Sequence, residues 1–83
     1  MSAPKSPGEV VWNKHIGEII RNERIKRRLS LPELANRCGI ARSSLFDMEH
    51  GRVNVRVLSI HKLSMEMPRL WHTIAEQIGR KRK

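Results

Sequence analysis

Leu29-Ser30-Leu31-Pro32-Glu33-Leu34-Ala35-Asn36-Arg37-Cys38-Gly39-Ile40-Ala41, followed by Arg42-Ser43-Ser44-Leu45-Phe46-Asp47-Met48-Glu49-His50-Gly51, is the stretch that decides the fold. Ser30 has the hydroxyl of a helix cap, Glu33 stands three residues on to reach back to it, and Leu29 and Leu34 flank the junction. Pro32 falls in the first turn, where a missing N–H is harmless. The helix so opened carries Leu34, Ala35 and Cys38 on one face and stops at Gly39, which accepts a left-handed backbone. Gly39-Ile40-Ala41 then lead into a second short helix, Arg42 to Glu49, with Leu45, Met48 and Glu49 on one face and Gly51 closing it. Two short helices joined by a tight glycine turn form a helix-turn-helix unit.

Outward from this unit the apolar spacing predicts three more helices. Upstream, Ile16, Ile19, Ile20 and then Ile25 or Leu29 recur at close to helical spacing, giving a first helix over 12–27. Downstream, Val57, Ile60, Leu63 and Met67 predict a helix opened by Asn54 or a neighbour and ended at Pro68; Leu70, Trp71, Ile74 and Ile78 predict another over 69–79, closed by Gly79. Residues 1–10, with two prolines and a glycine, read as a flexible arm; 11–79 form the domain and Arg80-Lys81-Arg82-Lys83 a basic tail.

The charge says what such a domain meets. Seventeen Lys and Arg against eight Asp and Glu give a formal charge of +9 over 83 residues, which attracts polyanions, nucleic acid first and acidic membranes or proteins second. The apolar runs, such as Val10-Val11-Trp12, fall far short of the roughly 20 residues of a membrane span or the roughly 7 of a signal-peptide core. The single cysteine, Cys38, closes no internal disulfide and fits the reducing cytoplasm. His15, His50, His61 and His72 stand at no metal-ligand spacing with Cys38, and no nucleophile elbow or phosphate-cradling glycine loop is present, so neither a metal, a cofactor nor catalysis is expected.

Ile20, Arg24, Leu29-Ser30, Glu33-Leu34-Ala35, Gly39-Ile40, Ser43-Ser44-Leu45, Glu49, Gly51, Asn54, Val57, Ile60 and Leu63 resemble the lambda-repressor-like, Cro-type helix-turn-helix family over about residues 16–67. The resemblance implies an all-α, five-helix domain whose third helix lies in the DNA major groove while the second spans it. It also implies dimers reading half-sites about 34 to 36 Å apart, and a salt bridge between Arg24 and Glu49. Three positions depart from the pattern. Leu31 stands where many relatives have a glutamine on the DNA backbone, Ala41 where the third helix is usually capped by Ser or Thr, and Arg28 where a turn glycine is frequent.

On that third helix, Arg42 offers a planar fork to guanine O6 and N7, or to a phosphate. Ser43 can bond several base edges, Phe46 can lie on a thymine methyl or pack inward, and Asp47 can accept from cytosine N4 or merely orient an arginine. Asn36, Arg37, Ser44, His50, Arg52, Asn54 and Arg56 are the candidate phosphate anchors. Lys26-Arg27-Arg28 and the basic tail either follow flanking DNA or are simply solvated. Leu70, Trp71, Ile74 and Ile78 make the last helix apolar enough for a homodimer interface, unless Trp71 closes the monomer's own core. Together these features lead to the expectation of a cytoplasmic regulator of bacterial, plasmid or phage type that represses a palindromic operator on double-stranded DNA and is nucleoid-associated when bound. An antitoxin-type module that sequesters a protein partner is the alternative, and RNA or single-strand binding is disfavoured by the scarcity of aromatic residues.

Overall fold

The computed structural model describes residues 7–81, and the side chains of 12–78; within them the domain is all-helical. Its helices are α1 Pro7–Lys26, α2 Leu31–Cys38, α3 Arg42–Glu49, α4 Val57–Glu66 and α5 Leu70–Lys81. Residues 1–6 of the expected arm and 82–83 of the basic tail lie outside the described residues.

Both outer boundaries differ from the sequence reading. Helix α1 starts at Pro7, so 7–10 are helical and not part of an arm. A Pro-Gly pair reads as a breaker, yet proline at a helix start forfeits only an N–H that has no partner in the helix. Helix α5 runs through Gly79 to Lys81. Glycine inside a helix costs about 1 kcal/mol relative to alanine but does not stop the chain unless its backbone turns left-handed.

The first three helices end in the same way. The N–H groups of Arg28 and Leu29 return to the carbonyls of Ile25 (2.9 Å) and Arg24 (3.2 Å). Those of Gly39 and Ile40 return to Asn36 (3.4 Å) and Ala35 (3.0 Å), and those of Gly51 and Arg52 to Met48 (3.2 Å) and Asp47 (3.0 Å). Each closure needs one residue with positive φ: Gly39 and Gly51 at 68°, Arg28 at 56°. An L side chain pays about 1 to 2 kcal/mol in that region. Arg28→Gly is therefore expected to stabilise the domain by about 1 kcal/mol, read as a higher urea midpoint at unchanged slope.

The closures turn the chain so that α1 packs on α3 and α5, α2 on α3 and α4, and α4 on α5. Ile20, Leu34, Leu45, Leu63, Met67 and Leu70 are the largest fully buried side chains, and every described helix adds to the core. Two of the four residues expected at a dimer interface are thereby corrected. Leu70 and Ile74 are buried in the core of the single chain, because α5 turns its apolar face onto α1 and α4. Ile78 packs against the same core, half-buried, and Trp71 alone of the four stays outside at 42% exposure. Helix α4 is preceded by Arg56, two residues past Asn54, and lacks a side-chain cap.

Candidate nucleic-acid interface

Helix α3 divides its residues cleanly. Leu45, Met48 and Glu49 are buried, while Arg42, Ser43, Ser44 and Phe46 are exposed and Asp47 is half-buried. Ala41 precedes the helix with an extended backbone and no side-chain bond, so its first-turn N–H groups have no cap from that residue.

Two devices fix α3 in place. The first is α2, whose capping box is complete: the Ser30 hydroxyl accepts from the Glu33 N–H at 3.1 Å, and the Ser30 N–H donates to the Glu33 carboxylate at 2.9 Å. The Ser30 backbone N–H, followed by its side chain, holds Glu33 below the usual carboxylate range. The box is thus intact above ordinary glutamate pKa values and is lost as acid takes the pH down through the lowered one.

The second device is Arg24. Its Nε and Nη2 donate to Glu49 Oε2 and Oε1 at 2.7 and 3.0 Å, and its Nη1 to the Leu29 carbonyl at 2.9 Å. One guanidinium thus ties the end of α1, the turn into α2 and the last residue of α3. The Glu49 hydrogen bond, opposed by burial and helped by the carboxylate's charge, raises Arg24 above its ordinary pKa.

Beyond α3 the chain passes along a groove of about 440 Å³. Ile40, Met48 and Val53 contribute its apolar lining, and Ser44, Asp47, Asn54, Arg56, Ser59 and Lys62 its polar one. Three candidate anchors, Ser44, Asn54 and Arg56, therefore converge at one place beside α3. Ser59 and Lys62 escaped the sequence reading, although they stand three residues apart and so share a flank of α4, with Arg56 just before its first turn. Asn54 is also part of the scaffold: its Oδ1 accepts from the buried Asn13 of α1 at 2.7 Å.

The chain matches no sequence-family model and no curated protein.

The remaining candidates are placed less uniformly. Arg42 and Ser43 project from the start of α3, and Asn36 is exposed on α2. Arg37 is drawn toward α4, with Nη1 3.7 Å from Glu66 Oε1. His50 stacks on Phe46 with ring centroids 3.9 Å apart and planes 24° from parallel, and its Nδ1 lies 2.8 Å from the Phe46 carbonyl oxygen. A carbonyl only accepts, so Nδ1 carries the proton and Nε2 of the neutral ring is an acceptor. Arg52 lies over the Phe46 ring, 5.3 Å from its centroid, with Nη1 3.7 Å from Asp47 Oδ1. Cys38 is half-buried, and burial, then the charge of Glu66, pushes its thiol pKa up. Among the described residues no His, Cys, Asp and Glu cluster could hold a metal ion, and no helix is long and apolar enough to cross a membrane.

Proposed function

We propose that the protein binds double-stranded DNA with sequence preference and acts as a small transcriptional regulator, a member in kind of the Cro-type helix-turn-helix group it resembles. The observation that carries this reading is the outward polar face of α3. Arg42, Ser43 and Ser44 are exposed on a helix whose opposite side is locked into the core and whose flank borders a groove lined by Arg56 and Lys62. A helix presented in this way fits the major groove, and the charge of +9 supplies the attraction to the phosphates.

In this reading Arg42 and Ser43 meet base edges, while Ser44, Arg52, Asn54 and Arg56 hold the backbone. The protein works in the cytoplasm as a homodimer that represses a palindromic operator, without cofactor or catalytic group. Trp71, with Val57, Leu58 and Met65 exposed on α4, supplies the apolar surface for association. The same exposed apolar residues favour the second reading, a module that sequesters a protein partner and binds DNA secondarily. Co-purification of a stoichiometric partner that displaces DNA would decide for it.

Selection from a random duplex library is expected to return a symmetric consensus. On that duplex Arg42→Ala removes discrimination at one position, about 1 to 3 kcal/mol, with little change in salt dependence. Arg52→Ala weakens all sequences alike and shallows the slope of log K against log salt by about one unit. Identical behaviour of the two variants would show that the end of α3 carrying Arg42 reads no base.

A further inference from the structure

We infer that Phe46 and Asp47 are positioning residues that hold Arg52 against one DNA backbone phosphate, and that neither reads a base. The inference rests on the DNA reading above and gives a role to the two residues, Phe46 and Asp47, that the sequence offered as base readers and that reading left unassigned. An eight-residue helix is about 12 Å long, the same as the about 12 Å width of the major groove. With Arg42 at the base edges, the other end of α3 arrives at the groove wall, where the phosphates are. Phe46, His50 and Arg52 gather at that end.

Phe46 is 41% exposed, an unfavourable state for an aromatic residue, yet its ring is already engaged. The His50 imidazole stacks on it at 3.9 Å and the Arg52 guanidinium sits at 5.3 Å, where the cation is drawn to the ring's negative face. Asp47 pairs with the same guanidinium at 3.7 Å. Arg52 is thus directed by a ring and a carboxylate, while its side chain is still 62% exposed. A guanidinium has five N–H donors in a rigid fork, suited to phosphate oxygens. Restricting a long side chain before binding removes part of the ordering cost at the interface. The pairing also explains an acid beside DNA: alone, the Asp47 carboxylate would repel the phosphates, and paired with Arg52 its charge is offset.

The test uses the full chain and the duplex selected by wild type, with affinities measured on that duplex and on its single-base variants. Phe46→Leu is expected to weaken every duplex about fivefold and leave the preferred sequence unchanged; Phe46→Tyr, which keeps the ring, retains wild-type affinity. In an Arg52→Ala background Phe46→Leu should cost nothing further. Asp47→Asn should weaken binding as Phe46→Leu does while Arg52 is present and cause no loss without it, where it removes an unpaired carboxylate instead; this supplies a second route should the Leu variant lose its helical signal. A changed base preference in Phe46→Leu or Asp47→Asn, losses that multiply with Arg52→Ala, or a Tyr variant as weak as the Leu variant would overturn the inference and leave the DNA reading standing. Wild type that prefers no duplex over heparin would overturn both.

Discussion

Arg24→Ala is expected to destabilise the domain by about 3 to 5 kcal/mol, the cost of leaving one member of a buried ion pair without its partner. The side chain of Glu49 is 1% exposed and that of Arg24 13%. Removing the arginine strands a charge that water cannot reach, and it takes away the donor to the Leu29 carbonyl as well. A domain of this size has little more than that in hand, since total stabilities run from about 5 to 15 kcal/mol and small domains lie at the low end. Urea unfolding followed by helical circular dichroism should therefore find the variant substantially unfolded. Arg24→Met combined with Glu49→Leu removes both charges and is expected to recover most of the loss. A loss under about 1 kcal/mol for Arg24→Ala, the size of an exposed pair, would show that the bridge is solvated in solution.

Gly17→Ala should also lose stability, by about 2 kcal/mol, where an exposed helix position would gain about 1. A Cβ at Gly17 would overlap the Met48 carbonyl oxygen and stand 2.8 Å from that of Glu49. Both are backbone atoms of the last turn of α3 and have no rotamer to escape into. The helix must move away from α1, and the Arg24 to Glu49 bonds stretch with it. Lower DNA affinity should accompany the lower urea midpoint, because the displaced element is the one proposed to enter the groove. Stability equal to or above wild type would contradict this close approach of α1 and α3.

These two sites differ in how far the sequence announced them. Ser30, Glu33, Gly39 and Gly51 were legible because capping and left-handed closure are local demands on the backbone, met by few residue types at fixed offsets. Arg28 was recognisable as a departure by the resemblance, and its positive φ is the structural consequence. The Arg24 to Glu49 pair spans 25 positions and no local periodicity connects them; only the family resemblance implied it. Gly17 gave no signal, since helical spacing does not say where a neighbouring backbone will approach.

The candidate site shows the same division. The outward placement of Arg42 and Ser43 follows from the 3.6-residue repeat once Leu45 and Met48 are taken as core. The apolar face of α5 was legible as a face, but amphipathicity does not name what covers it; Leu70 and Ile74 met α1 and α4 of the same chain instead of a second copy. The Phe46, His50, Arg52 cluster depends on how the loop after α3 folds back, with Arg52 bonded through its N–H to the carbonyl of Asp47. That return is fixed by Gly51 and is visible only with the backbone in place.

Amide chemical shifts of the labelled full chain, followed during titration with its selected duplex and separately with heparin, give the most direct check on which surface meets DNA. The duplex is expected to move the resonances of 42–47 and of the groove around Arg56 and Lys62 in a saturable way, with α5 silent apart from dimer effects, and heparin to fail to reproduce the pattern. Shifts centred on α1 or α5, or the same response to both polyanions, would contradict it.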